Sequence, residues 1–266
     1  MISGTLLKRN IISCIKPFII IFAVLCMYTT IIIYMFNPEL ADMLNEYQQA
    51  LPDMMAAVGM EGVASTLLEW TKIYLYGFIM MLFPLIFIII ANHKLLMGYI
   101  DSGSMANLLA TPNSRGKIIR TQLISSGLMI ILLIAVTTGV GIISCQAMFP
   151  GELDIPRYLL LNASTCLLQL VISGIAFCAA CVFSESKYYY SIGAGLPILF
   201  FLIQMVSNMG DKLKNLKYVT IYTLLPSEQI VAGESGHWEY ELAMAVLVIA
   251  LYGAGAIYFT RRDISV

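Results

Sequence analysis

Charged residues are scarce in this sequence. Of its 266 residues, 12% are Asp, Glu, Lys or Arg and 59% are hydrophobic, whereas a soluble domain carries about 25% charged residues. One soluble core cannot hide so many apolar side chains, so the composition favours lipid as the surrounding solvent. The predicted fold class is therefore an all-α integral membrane protein.

Charge is absent altogether from six long runs of the chain. Each run reaches the ~18 apolar residues needed to cross roughly 30 Å of hydrocarbon. We predict six transmembrane helices at residues 17–36, 73–92, 121–149, 158–183, 188–210 and 242–260. Ion-coupled transporters and voltage sensors usually need ionisable side chains at membrane depth, so their absence disfavours both classes.

Catalytic motifs are missing as well. The sequence contains neither H-E-x-x-H nor G-x-S-x-G, and its two histidines, His93 and His237, belong to opposite ends of the predicted topology. A nucleotide-binding G-x-x-x-x-G-K-[ST] loop is also absent, since Gly116-Lys117 has the wrong spacing and precedes Ile118. We predict a chain that is not an enzyme, binds no metal or cofactor of its own and has no nucleic-acid partner.

The six cysteines give no disulfide pattern. They are Cys14, Cys26, Cys145, Cys166, Cys178 and Cys181. All lie in or beside apolar runs, which makes a disulfide framework unexpected. Cys178 and Cys181 form a C-x-x-C within the fourth run, but no second pair and no nearby histidine supports a metal site. Helix packing is the favoured interpretation of the pair.

Lysine and arginine are unevenly distributed between alternate connecting segments. With the N-terminus inside, ten of the 15 basic residues are cytoplasmic and five are external. This bias predicts that both termini are cytoplasmic. The first run lacks a small-residue cleavage site, so we expect an uncleaved span rather than a signal peptide. The expected location is the plasma membrane, with several passes through the bilayer.

Three segments outside the runs also show helical patterns. Residues 3–15 place apolar side chains on one face, which predicts an interfacial helix before Pro17 begins the first span. Residues 37–71 contain two helix-start patterns, at Asn37 and Pro52, which predict short helices on the outer surface. Residues 218–230 are too apolar for a solvated loop and too short for a span, so we predict a re-entrant segment.

The connection between the second and third spans is the longest interruption on the inner side. Residues 99–110 can form about three helical turns, with Met105, Leu108 and Leu109 as a small apolar knob. Pro112 would end this helix near Thr111. A basic cluster of Arg115, Lys117 and Arg120 follows, and we expect it to anchor the third span at anionic headgroups.

This connection resembles the inner loop of type 2 ABC exporter permeases. The shared pattern is an acidic residue followed by Gly-Thr-Leu and Leu-Leu-x-x-Pro-x-x-Arg. The matching residues are Asp101, Gly103, Leu108, Leu109, Pro112 and Arg115. Ser104 and Met105 replace the usual Thr and Leu. Residues 3–15 resemble the elbow helix of that family, residues 218–230 its re-entrant segment, and the ending Y-F-T-R-R-D its cytoplasmic tail.

The resemblance implies a single transmembrane permease domain over residues 1–266. Residues 99–111 would be a coupling helix that docks on a separate ATPase, through Asp101, Gly103, Met105, Leu108, Leu109, Pro112 and Arg115. Two permease chains, identical or related, would each dock one ATPase subunit, so that two ATPase copies bind ATP and Mg²⁺. The remaining partner is the lipid bilayer.

The translocation path is expected between the second and fifth spans. Phe78, Met81, Pro84 and Phe87 share one helical face, and Phe201, Gln204 and Asn208 share another. Ordinary helix packing is the alternative for both faces. An apolar face opposite a mildly polar one suits an amphipathic substrate, and a peptide antibiotic or toxin is favoured. Two other functions stay open, a membrane sensor or immunity protein without a motor and a membrane-embedded enzyme.

Overall fold

The protein is a bundle of long helices. The computed structural model describes residues 2–37, 43, 50–60, 62, 64–111, 113–209 and 213–262, and this part of the chain contains no β-strand. Six helical segments are long and apolar enough to cross a membrane. They are Gly4–Tyr34, Ile79–Asp101, Arg115–Met148, Ile155–Val182, Ser186–Ser207 and Trp238–Arg261. The prediction of six transmembrane helices is confirmed.

Shorter helices and wider turns complete the chain. In order, the α-helices are α1 Gly4–Tyr34, α2 Pro52–Ala57, α3 Leu67–Thr71, α4 Ile79–Asn92, α5 Gly98–Asp101, α6 Met105–Leu109, α7 Arg115–Met148, α8 Ile155–Val182, α9 Ser186–Tyr188, α10 Gly195–Ser207, α11 Ser227–Ala232 and α12 Trp238–Arg261. π-helical turns at Lys72–Tyr76, His93–Met97 and Tyr189–Ala194 follow α3, α4 and α9. The second span is thus α4–α5 and the fifth is α9–α10.

Both chain termini lie at the same end of the bundle. The Ser3 amide donates to Thr121 Oγ1 at 3.1 Å, near the start of α7. Arg115 Nη1, also at the start of α7, donates to the Arg262 carbonyl at 2.8 Å. We call this the termini end, and the opposite end, which contains Trp70 and residues 213–237, the far end.

The first span is longer than predicted. One helix runs from Gly4 to Tyr34 with Pro17 inside it, so the predicted boundary before Pro17 is wrong. A proline has no N–H, and it leaves the carbonyl four residues earlier without a helical partner. That carbonyl belongs to Ser13, and Lys94 Nζ donates to it at 3.2 Å. Because a neighbouring helix supplies the missing donor, α1 continues past the proline. An orientation of residues 3–15 along the membrane surface stays a prediction.

A second proline is accommodated in the same way. Pro84 lies inside α4, and it leaves the Met80 carbonyl without a donor from its own helix. Gln169 Nε2 of α8 donates to that carbonyl at 2.9 Å. Gln169 is fully buried, so the Met80 carbonyl receives its hydrogen bond from an uncharged side chain inside the bundle.

The centre of the bundle contains a closed network of neutral polar groups. Asn92 Nδ2 donates to Ser173 Oγ at 3.0 Å, and Ser126 Oγ donates to Asn92 Oδ1 at 3.1 Å. Tyr252 OH donates to Ser173 Oγ at 2.7 Å. All four side chains are buried. They come from α4, α7, α8 and α12, so the network joins the four helices near the termini end.

Small residues let α8 and α12 approach closely. A Cβ at Gly174 would lie 2.9 Å from Leu251 Cβ, and one at Gly255 would lie 3.2 Å from Cys178 Cα and 3.4 Å from Cys181 Sγ. All six cysteines are free thiols. The C-x-x-C pair therefore contributes to the contact between the two helices, as the packing interpretation expects.

The far end is covered by short helical segments. Two 3₁₀ turns, Lys214–Val219 and Ile221–Leu224, precede α11, and Tyr222 and Ile230 are buried in the protein. Burial raises the pKa of the Tyr222 phenol, which keeps it protonated. Of the two short helices predicted before the second span, α2 begins at Pro52 as predicted. The one predicted from Asn37 lies almost wholly outside the described residues. The membrane depth of the 213–232 segment stays a prediction.

Candidate functional site

The loop at the termini end is bent rather than straight. The sequence predicted one three-turn helix over residues 99–110, but α5 ends at Asp101 and α6 begins at Met105. Ser102 Oγ donates to the Gly98 carbonyl at 2.6 Å, which satisfies the last turn of α5. Gly103 then adopts φ +68°, a left-handed conformation that favours glycine. The predicted continuous helix is therefore wrong, and Gly103 forms its corner.

The apolar knob predicted on this loop is largely turned inward. Met105 is 1% exposed and belongs to the core, while Leu108 and Leu109 are partly buried against it. The Met105 side chain is thus covered by this chain's own core, and its place in a docking surface stays a prediction. Pro112 lies outside the described residues. Among the described residues of the loop, the exposed ones are Asp101, Ser102, Gly103, Asn107, Ala110 and Thr111.

Asp101 connects the loop to the fifth span. Its Oδ2 accepts from Ser186 Oγ at 2.6 Å, and its Oδ1 accepts from the Ser186 amide at 3.2 Å. Ser186 is the first residue of α9, where backbone N–H groups lack helical partners. The carboxylate therefore caps the fifth span from a different segment of the chain. His93 Nε2 lies 3.2 Å from Ser186 Oγ, and its ring stacks on Tyr190.

Arg115 connects the other side of the loop to the last span. Its Nη1 donates to the Arg262 carbonyl, just beyond α12. Arg262 Nη1 in turn donates to the carbonyls of Cys181 and Phe183 at 3.0 and 3.1 Å. The termini of α7, α8 and α12 are therefore joined by two guanidinium groups beside the exposed loop.

The aromatic residues of the expected path meet within one chain. The rings of Phe78 and Phe201 lie 5.6 Å apart, and Phe201 lies 5.6 Å from Tyr222. Phe78 is half-buried, whereas Met81 and Phe201 are 5% and 6% exposed. The second and fifth spans are thus in contact at this level, near the far end.

Phe87 and Pro84 do not belong to this surface. Phe87 is fully buried and meets Phe18 of α1 edge-on at 5.8 Å, and Pro84 is buried inside α4. The predicted common face of Phe78, Met81, Pro84 and Phe87 therefore ends in the core. It does not run the length of a path.

The polar residues of the expected path are hydrogen-bonded to each other and to the far end. Gln204 Nε2 donates to Asn208 Oδ1 at 3.2 Å. Gln204 Oε1 accepts from Thr220 Oγ1 at 2.6 Å. Both residues remain half-buried. These hydrogen bonds join the end of α10 to the segment that follows it. Part of the Gln204 and Asn208 side chains remains accessible.

Sequence reasoning missed the residues that complete these contacts. Ser186 lies just before the fifth apolar run, a position typical of a helix cap. Its partner Asp101 is 85 residues away, and no local pattern marks such a pair. Arg262 was recognised only as part of a basic tail. Its binding to two carbonyls at the end of α8 follows from tertiary structure alone.

A comparison with protein families identifies the family of this chain. The model of the family described as ABC-2 family transporter protein matches residues 11–264. A search of curated proteins finds no match to the chain. The match covers five of the six spans in full and most of α1. Members of this family are transport subunits that associate with an ABC ATPase at the membrane. The chain belongs to the ABC-2 transporter family and is a multi-pass transmembrane subunit of an ABC transporter.

Proposed function

We propose that this subunit exports an amphipathic substrate, driven by a separate ATPase. The favoured substrate is a peptide antibiotic or toxin. Two permease chains, identical or related, would form the path, and two ATPase copies would bind ATP and Mg²⁺ and hydrolyse the ATP. The subunit would reside in the plasma membrane with both termini in the cytoplasm.

The observation that supports this proposal most strongly is the contact between Asp101 and Ser186. The exposed corner at Ser102 and Gly103 offers a surface for the ATPase. Asp101, the residue before that corner, holds the first residue of the fifth span by two hydrogen bonds. A displacement of the corner by the ATPase would therefore act directly on the fifth span.

The fifth span also offers a surface for a second chain or for substrate. Ile198, Leu199, Leu202 and Val206 are each at least 40% exposed, and they form one apolar face of α10. The half-buried Phe78, Gln204 and Asn208 lie toward the far end of the same region. Apolar and amide groups together suit a substrate that is itself amphipathic.

Docking is tested on the exposed residues of the loop. We expect Asn107→Trp to prevent ATPase binding by steric conflict, because this side chain is exposed. Leu108→Asp and Leu109→Asp should also weaken it, since a buried unpaired charge costs several kcal/mol. The measurement is retention of the ATPase during purification, together with substrate-stimulated ATP hydrolysis.

The control for docking is Glu185→Gln, at an exposed position of the neighbouring connection. It should retain full ATPase binding. Normal substrate-stimulated hydrolysis in all three loop variants would contradict the assignment of the loop as the docking site.

A sensor or immunity protein without transport activity is the alternative. It would bind a peptide but would neither co-purify with the ATPase nor move the peptide. Export into inside-out vesicles that depends on added ATP separates the two functions. The orientation of the chain in the membrane is tested separately, by labelling Asp101→Cys and Glu234→Cys in intact cells with an impermeant thiol reagent. We expect only position 234 to react.

A further inference from the structure

An open groove lies on the outer surface of the bundle. It has a volume of about 370 Å³ and is lined by Leu123, Gly127, Leu170, Val248, Ile249, Tyr252 and Gly253. These residues belong to the spans α7, α8 and α12. A Cβ at Gly253 would meet no atom within 4 Å, and one at Gly127 would meet only Leu170 Cδ2 at 3.8 Å. The two glycines therefore leave room in the groove rather than permitting a tight helix contact.

The end of the groove nearest the chain termini is basic. Arg120 precedes Leu123 by about one helical turn. Gly127 lies roughly 10 Å from Arg120 along the axis of α7. Arg120 and Arg261 are exposed and Lys117 is half-buried. In the described part of the chain, no carboxylate lies within salt-bridge distance of these three residues.

Two of the three helices that line the groove, α7 and α12, are joined at this basic end. The hydrogen bond between Arg115 and the Arg262 carbonyl joins the start of α7 to the end of α12. An apolar groove between spans thus runs toward a cluster of cations that make no salt bridge to any described carboxylate. An anionic head with an apolar tail matches both parts.

We propose that the groove binds one anionic phospholipid. An acyl chain would lie over Gly127 and Gly253, and the phosphate would be held by Arg120 with Lys117 or Arg261. Charge complementarity favours this occupant over a second protein helix, whose surface within the membrane would bring no anion to Arg120. The site does not depend on the identity of the exported substrate.

The groove is also connected to the centre of the bundle. Tyr252 is one of the residues that line it, while the Tyr252 hydroxyl donates to Ser173 in the polar network. A lipid tail in the groove would contact the outer face of the side chain that joins α12 to α8. Bound lipid should therefore stabilise the bundle as well as occupy its surface.

The test is native mass spectrometry of the purified 266-residue chain with phosphatidylglycerol, phosphatidylcholine or glycerol 3-phosphate. We expect one retained phosphatidylglycerol, little phosphatidylcholine and no glycerol 3-phosphate. Gly253→Leu fills the groove and should weaken retention by about ten-fold or more, because several buried methylenes are lost. Arg120→Gln should weaken it by about five-fold, the loss of one cation near an anionic headgroup.

Two variants control for general effects. Gly139→Leu adds the same side chain to α7 at a glycine where a Cβ meets no atom within 4 Å, and it does not line the groove. Lys8→Gln removes an exposed cation from the termini end of α1. Both should retain phosphatidylglycerol as the unmodified chain does. Full retention by Gly253→Leu, equal loss in all four variants, or equal binding of phosphatidylcholine or glycerol 3-phosphate would overturn the proposal.

Discussion

The fourth and fifth spans are neighbours in sequence but are held in the protein in different ways. In α8, 67% of the most apolar stretch is buried, against 28% in the fifth span. Gln169 and Ser173 of α8 make hydrogen bonds within the bundle. The fifth span is less deeply buried, and two of its hydrogen-bonded contacts lie near its ends, Ser186 with Asp101 and Gln204 with Thr220.

The difference separates a fixed element from one that is free to shift. Moving α8 would break buried hydrogen bonds and close packing against α4 and α12, which is costly in a low-dielectric interior. Moving the fifth span would break fewer buried contacts, and segments of that kind open at lower free energy. The fifth span is also the one that Asp101 joins to the exposed loop. We therefore predict that the fifth span moves during transport while α8 stays in place as scaffold.

Among the variants that test this comparison, we expect Gly174→Leu in α8 to reduce the stability of the protein most. A Cβ there would lie 2.9 Å from Leu251 Cβ, so α8 and α12 would be forced apart. Overpacking of this kind destabilises by about 1–3 kcal/mol. The measurement is the unfolding temperature in detergent. Gly139→Leu, on an open face of α7, is the matched control, and equal unfolding temperatures would contradict a tightly packed α8.

The next effect concerns the hydrogen bond between Gln169 and Met80. Gln169→Leu leaves the Met80 carbonyl unpaired, because Pro84 supplies no N–H, and should cost about 1–2 kcal/mol. Gln146→Leu, at an exposed position, should cost less. Pro84→Ala restores a helical donor, so Gln169→Leu should be milder in that background. An unchanged cost with and without Pro84 would show that Gln169 does not act through the carbonyl.

The spans were predictable from sequence because they depend on local composition. Six apolar runs without charge were enough to identify them, with ends that differ by a few residues for most spans. The first and second spans are the exceptions, because α1 begins at Gly4 and the second extends to Asp101. Pro17 was expected to begin the first span, but Lys94, 81 residues from Ser13, donates to the carbonyl that this proline leaves without a helical partner. A helix that continues through a proline therefore depends on a partner that no local pattern shows.

The candidate site was predictable only in outline. The connection between the second and third spans was located correctly, but its apolar spacing indicated a continuous helix with Met105 on an apolar knob. Gly103 breaks the helix, and core packing buries Met105. Periodicity shows which residues share a face, but it does not show whether that face meets the core or a partner. The contacts between Phe78 and Phe201 and between Gln204 and Thr220 depend on the same tertiary information.

A smaller effect on stability, but a large one on transport, is expected at the Asp101 contact. Asp101→Ala and Ser186→Ala should retain ATPase binding and basal hydrolysis while transport falls several-fold, because the fifth span no longer follows the loop. Glu185→Gln alters the adjacent exposed ion pair with Lys187 and should transport normally. The assay compares hydrolysis with transport in proteoliposomes. Parallel loss of both activities would mean that Asp101 supports docking instead.

The smallest effect on stability is expected in the contact between the second and fifth spans. Phe78→Ala and Gln204→Ala should change transport or its substrate range with little change in unfolding temperature, since both residues are half-buried. Phe87→Ala, in the fully buried core, is the contrasting variant and should lose about 3–5 kcal/mol. If Phe78→Ala and Gln204→Ala lose stability in proportion to transport, the two residues serve packing and the path lies elsewhere.

The most direct test of the account is the distance between the fourth and fifth spans during the ATP cycle. Spin labels at Ile198 and Leu159, both exposed, would report this distance in a variant without native cysteines, bound to its ATPase. A second pair, Leu159 and Ile249, reports on the scaffold. We expect ATP binding to shift only the first distance distribution, and Asp101→Ala to abolish that shift. A fixed first distance, or equal shifts in both pairs, would contradict a moving fifth span on a fixed core.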